Sequence, residues 1–155
     1  MTMPEGLEMT AGKFTFRVPE DRLYTAEGIW VLSEGDRPSN RIRVGLTDYL
    51  QQHSGDVAFA FVKPSGARLL ADETLAEVET IKTLLELPSP IAGTVVKVNP
   101  ALDLTPEVIN RDPYGEGWLA TIEPADWGAD RAGLLGPREY LSHMQSQVQE
   151  ELEKP

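Results

Sequence analysis

Apolar and polar residues alternate over short stretches of this chain, and glycine and proline break the stretches apart. The period is clearest in Arg41-Ile42-Arg43-Val44-Gly45-Leu46, where every second side chain falls on one face, as a half-buried strand requires. Residues 14–18, 28–32 and 57–62 are rich in strand formers, and residues 67–70, 73–81, 83–87 and 93–98 continue the series. Ser33 to Asn40 and Pro64-Ser65-Gly66 read as turns by composition. Many short strands with this punctuation predict a mainly β fold with peripheral helices, a sandwich or flattened barrel.

Three segments switch to helical spacing. Thr47 is placed to cap Asp48 to His53. Thr105 and Pro106 supply a cap and a first-turn proline for a helix running to Ile109. A longer helix opens at Pro137 and runs to Glu153, with Tyr140, Leu141, Met144, Val148 and Leu152 on one stripe. Residues 1–13 show no sustained period and read as a loose lead-in. The expected organisation is one domain over 1–155: that lead-in, a β core over 14–135, and a C-terminal helix over 137–153.

Composition narrows the chemistry. At 155 residues with 41% hydrophobic and 7% aromatic residues, the chain is long enough for an ordinary globular core. No apolar run approaches the roughly 18 residues of a membrane span. Met1 to Gly6 lacks the basic and hydrophobic regions of a secretory signal, so a cytoplasmic location is expected. With no cysteine, disulfides, thiolate metal sites and thiol nucleophiles are ruled out. His53 and His143 are bracketed by polar residues and read as solvated; no metal is expected.

The net charge of −11, from 25 acidic and 14 basic residues, disfavours nucleic acid and anionic membranes as partners. It suits transient docking into electropositive clefts. The chain contains no Gly-x-Ser-x-Gly elbow, phosphate loop or histidine-based zinc motif, so a catalytic centre is not expected. What stands out instead is Lys82, set between two β-type segments in Glu79-Thr80-Ile81-Lys82-Thr83. An amine on a hairpin would be accessible to a modifying enzyme and rigidly supported. Gly93, Gly115 and Gly117 read as positions closed to side chains, and Trp30 as core.

From about Tyr24 to Tyr140 the chain resembles the H-protein family of the glycine cleavage system. The matching residues run in order: Tyr24-Thr25 and Trp30-Val31; Val44-Gly45-Leu46-Thr47 with Tyr49; Gly55-Asp56-Val57; Glu79 to Thr83; Ser89 to Val95; and Asn110-Arg111-Asp112-Pro113-Tyr114-Gly115-Glu116-Gly117-Trp118. The resemblance implies a lipoyl/biotinyl-type hybrid barrel-sandwich of antiparallel strands and a carrier without catalytic residues of its own. It implies lipoate attached covalently to Lys82, with Glu79 recognised by the lipoylating enzyme. The reactive thiols would belong to the cofactor, which reconciles sulfur chemistry with a cysteine-free chain. Implied partners are a lipoate ligase or lipoyl synthesis enzymes, with glycine decarboxylase and T-protein.

One departure bears on cargo. Where the family reads His-Glu-Trp, this chain has Gly28-Ile29-Trp30, preceded by Glu27. The family shelters a cationic aminomethyl group in a cleft containing that glutamate, so Glu27, Ile29 and Glu86 become the cleft candidates. An apolar Ile29 and the long lead-in resemble instead the H-protein-like lipoate-binding proteins of heterodisulfide-reductase-like sulfur oxidation. That likeness favours a sulfur carrier, with a heterodisulfide-reductase-like complex and dihydrolipoamide dehydrogenase as partners. The alternatives are an H-protein shuttling the aminomethyl group of glycine, a lipoyl-group donor, or an unmodified interaction protein.

Overall fold

The computed structural model describes residues 6–35 and 41–153. Its first elements are β1 (Gly6–Ala11), β2 (Phe14–Pro19), β3 (Leu23–Tyr24), β4 (Ile29–Ser33), β5 (Ile42–Leu46), α1 (Asp48–Ser54) and β6 (Val57–Val62). They are followed by β7 (Arg68–Leu69), β8 (Thr74–Thr80), β9 (Leu84–Pro88), β10 (Gly93–Val98), α2 (Ala101–Leu104) and α3 (Val108–Arg111). The chain ends through β11 (Ala120–Pro124), α4 (Trp127–Arg131) and α5 (Pro137–Glu153). The architecture is the expected one, antiparallel strands with helices at the periphery. Strands order as β3-β4-β5-β11-β10-β7 in one sheet and β6-β8-β9 in another, while β1 and β2 form a separate hairpin.

Alternation along β4 and β5 explains how the larger sheet is covered on both faces. Ile29 and Val31 of β4 join Ile42, Val44 and Leu46 of β5 in an aliphatic core shared with the smaller sheet. Trp30 points the other way, into a second cluster with Phe16, Tyr24, Trp118, Tyr140 and Met144. Trp30 pairs across the strands with Gly45. A Cβ at Gly45 would stand 2.6 Å from the indole, so only glycine leaves the ring its place. Gly93 is closed for the same reason, since a Cβ there would meet the Glu123 carbonyl oxygen at 2.3 Å.

Several expectations need correction. The lead-in is not loose where it is described: Gly6–Ala11 is a strand paired with β2 from Gly6↔Pro19 to Ala11↔Phe14. Gly12, with φ +61, supplies the left-handed first position of the two-residue hairpin loop that joins them. Residues 1–5, and residues 36–40 of the predicted turn, lie outside the described residues. The helix expected from Thr105 begins only at Val108, with no side-chain cap; Thr105 instead closes α2, its hydroxyl donating to the Ala101 carbonyl. On α5, Tyr140, Met144 and Val148 are buried as the stripe requires, but Leu152 is 71% exposed. Among the described residues no helix is long and apolar enough to cross a membrane.

Candidate functional site

Lys82 stands at the tip of the β8–β9 hairpin, and Ile81, Lys82, Thr83 and Leu84 are all exposed. One buried side chain fixes this tip. The Thr80 hydroxyl donates to the Ser54 carbonyl (2.6 Å) and accepts from the backbone N–H groups of Lys82 and Thr83 (3.1 Å each). That uses the one donor and both acceptor sites of a hydroxyl. The Thr80 N–H also closes the turn on the Thr83 carbonyl at 2.8 Å. Thr80 belongs to the motif read from the sequence, but periodicity assigned it no role. Its signal was its position, a threonine immediately before a turn, where side-chain-to-backbone bonding is common.

A second polar side chain holds the platform under the tip. Asn110 accepts from the Val57 N–H (2.8 Å) and donates to the Gly55 carbonyl and to Gln51 Oε1 (3.1 Å each). The segment it clamps carries the Asp56 carbonyl, which receives the Ile81 N–H at 3.0 Å. The distant Asn110–Trp118 motif is thus mechanically joined to Lys82. Within that motif, a Cβ at Gly117 would meet the Val108 carbonyl oxygen at 2.6 Å, and the tight turn delivers Trp118 to the aromatic cluster.

Beside Lys82, the outer face of the smaller sheet presents Phe59, Phe61, Glu77, Glu79, Leu84 and Glu86, all exposed. Glu79 lies opposite Phe59 on one side and Leu84 on the other, a few ångströms from the tip by register. Glu77 faces Glu86 directly across β8 and β9. Like charges so paired oppose sheet formation. The face is acidic, with exposed aromatic rings, and leads up to the amine.

The three cleft candidates are not brought together. Glu27 lines a surface depression with Asp72, Ser89, Pro90 and Asp130, at the far end of β9. That end is six residues from Lys82, roughly 20 Å along an extended strand. Ile29 is no cleft wall: it is 1% exposed and packed in the aliphatic core opposite Leu46, because alternation turns it away from the face Trp30 occupies. Glu86 is on the exposed face of the hairpin. Neither Ile29 nor Glu86 lines the Glu27 depression.

The residues present fit an acylated lysine. Among the described residues no carboxylate lies within ion-pair distance of the Lys82 amine. Its stem rests on the C-terminal end of α1, where a Cβ at Gly55 would be 3.4 Å from Lys82 Cγ and Cδ. His53 and His143, expected to be solvated, are engaged at the surface: His53 stands 3.3 Å from Glu151, and His143 Nε2 is 3.1 Å from the Ala26 carbonyl. No group of three or more metal-ligating residues is gathered among the described residues.

An antiparallel barrel-sandwich that presents an accessible lysine on a braced hairpin fits the class of covalent-cofactor carriers. Comparison with known proteins specifies the class further. The family model described as Glycine cleavage H-protein matches residues 22–147. The chain is 41% identical over 131 residues to the glycine cleavage system H protein of Thermus thermophilus, covering 84% of this chain and 98% of that one. It is 43% identical over 122 residues to the corresponding protein of Bacteroides fragilis, covering 79% and 93%. The crystal structure of the Mycobacterium marinum glycine cleavage system H protein superposes with a TM-score of 0.72 at 36% identity, covering 81% of this chain and 97% of that one. The chain belongs to the glycine cleavage H-protein family, whose members carry lipoate covalently on a lysine and are carriers, not enzymes.

Proposed function

We propose that this chain serves as the lipoyl carrier of a glycine cleavage system, with lipoate in amide linkage to Lys82. The carrying observation is the Lys82 amine itself, exposed on a turn whose backbone is locked by Thr80 and, through residues 54–56, by Asn110. When bound, the lipoyl group supplies a dithiolane whose sulfurs hold and release the aminomethyl cargo. The chain contributes placement. A fixed tip lowers the ordering cost of each encounter, and the acidic face bearing Glu79 offers a lipoate ligase or lipoyl synthesis enzyme a surface to recognise. Glycine decarboxylase, T-protein and dihydrolipoamide dehydrogenase are the partners this reading requires. The preference for glycine cargo over the sulfur cargo first favoured rests on the family match; the burial of Ile29 removes the apolar cleft wall on which the sulfur reading leaned.

The test is intact mass after incubation with a lipoate ligase, followed by glycine decarboxylation in the presence of T-protein. A lipoyl mass increment on Lys82, lost in Lys82→Arg, together with glycine turnover is the expected result. An increment elsewhere would overturn the attachment site.

A second reading keeps the attachment and changes the cargo. Gly28-Ile29 stands where the family has His-Glu, so this chain lacks the family's carboxylate at position 29. A lipoylated protein inert with glycine decarboxylase, but accepted by a heterodisulfide-reductase-like complex, would select the sulfur carrier.

A further inference from the structure

We propose that the acyl arm of Lys82, when not engaged by a partner, rests in an apolar cavity beside the hairpin tip, between β2, α1 and the last turns of α5. The proposal rests on the attachment reading above and adds a resting site whose walls come partly from α1, within the family match, and partly from β2 and the end of α5, outside it.

The cavity has a volume of about 280 Å³, and Lys82 itself is on its wall. A dry apolar cavity of roughly 150 Å³ already admits benzene, so this one has room for a short hydrocarbon chain and a five-membered ring. Its apolar lining comes from Phe14, Phe16, Tyr49, Val148 and Leu152. The polar groups at its edge are already committed. Glu151 accepts from the Tyr49 hydroxyl (3.3 Å) and sits 3.3 Å from His53 Nε2, while Gln52 donates to the Thr15 carbonyl and to Asp48 (3.0 Å each). What remains facing inward is mostly carbon, the rings of Phe14, Phe16 and Tyr49 among it, with a polar rim of Gln52, His53 and Glu151.

Two observations point to the arm as occupant. Phe14 is half exposed and Leu152 largely so, although both are large apolar side chains at one cavity. Covering them is favourable, and sulfur against ring edges adds to it. Second, Phe14 and Phe16 precede residue 22, and Val148 and Leu152 follow residue 147, the limits of the family match. The hairpin and the helix end therefore add a wall to the family frame at the one lysine that would carry the cofactor. Acylation removes the ammonium charge that would oppose entry, and the tether makes docking intramolecular, with an effective concentration on the order of millimolar. Even a weak site is then occupied for much of the time.

The experiment compares unmodified, octanoylated and lipoylated protein, with modification at Lys82 verified by peptide mass. Side-chain NMR should show shifts at Phe14, Phe16 and Val148 on acylation, and smaller ones across the Phe59–Phe61 face. The lipoyl disulfide of the wild type should be reduced by a small phosphine at least about threefold more slowly than that of Phe14→Ser or Leu152→Ser, both conservative of fold because the side chains are exposed. Full acylation at Lys82 with unmoved cavity resonances and equal reduction rates would overturn the resting site while leaving the carrier intact. Absence of acylation at Lys82 would overturn both.

Discussion

Between the two sheets, Ile42, Val44, Leu75, Val78 and Ile122 pack as interchangeable hydrocarbon, whereas on the outer face of the larger sheet Tyr24, Trp30, Tyr49, Trp118 and Tyr140 pack as rings with polar ends. The aliphatic cluster binds the sheets and asks only for volume. The aromatic cluster joins elements far apart in sequence, and each join uses a specific hydrogen bond. Trp30 Nε1 donates to the Pro113 carbonyl (2.9 Å), the Tyr24 hydroxyl donates to the Pro19 carbonyl, and Tyr140 bonds Thr47 at 2.8 Å. Tyr24 and Tyr140 also stack, with centroids 4.8 Å apart. The first cluster makes the sandwich; the second fastens the β1–β2 hairpin and α5 to it, and its open end reaches Lys82.

The difference is sharpest at alkaline pH. Burial raises the pKa of all four tyrosines: Tyr49, with help from the Glu151 carboxylate, and Tyr140 are each pushed up to about 12, and Tyr24 and Tyr114 lie well above the usual value. A phenol whose folded pKa exceeds its unfolded value of 10.0 contributes its full stability below that pH, and loses it as pH rises through the folded pKa. Stability should hold to about pH 10 and collapse by about pH 12. Phenolate absorbance should rise together with the loss of near-ultraviolet circular dichroism. Phenolates appearing at pH 10 in a folded protein would show that the aromatic cluster is wet.

Next in size is Trp30→Ala, which removes the fully buried indole of the aromatic cluster and the Nε1–H donor to the Pro113 carbonyl. A loss of about 3–5 kcal/mol is expected in urea unfolding. The aliphatic counterpart Ile122→Val should cost about 0.5–1.5 kcal/mol. Comparable losses for the two would erase the distinction between directional and volume-filling packing.

The sandwich was legible because its strands carry period-2 patterning that survives into burial, as in β5. The strand β11 was missed although it sits in the middle of the larger sheet, between β5 and β10. Ala120, Thr121 and Ile122 are buried in succession, so the strand shows no alternation. The lysine site was legible through a motif, but the parts that hold it were not. Thr80 reaches the Ser54 carbonyl 26 residues away, and Asn110 the Val57 N–H and Gly55 carbonyl 53 and 55 residues away, and no local pattern encodes those separations. The reading of Ile29 failed because substitution at a family position was taken to mean exposure there. The cavity beside Lys82 joins residues near both ends of the chain, a proximity no local pattern encodes.

Thr80→Val tests the support of the tip without changing its shape. Removing the hydroxyl leaves the Lys82 and Thr83 N–H groups and the Ser54 carbonyl without their partner, at an expected cost of about 1–3 kcal/mol. Amide exchange should accelerate at Lys82 and Thr83 more than in β8, and the lipoylation rate should fall while tryptophan fluorescence stays unchanged. Thr80→Ser should restore both. If the valine variant were lipoylated at the wild-type rate, accessibility alone would suffice and the bracing would be irrelevant to function.

The smallest effect is expected at the rim where the aromatic cluster opens. The Glu151 carboxylate accepts from Tyr49 and faces His53, but Glu151 and His53 are both about half exposed, so the pair is worth at most about 1 kcal/mol. Glu151→Gln should therefore leave the unfolding midpoint nearly unchanged and lower the Tyr49 pKa, since the carboxylate is one of the causes raising it. The selective change at a single tyrosine, read by site-resolved NMR titration, separates a local electrostatic contact from cluster-wide burial. A shift shared by Tyr140 would mean that the end of α5 had come away from the sheet, and that Glu151 holds the helix rather than only decorating its last turn.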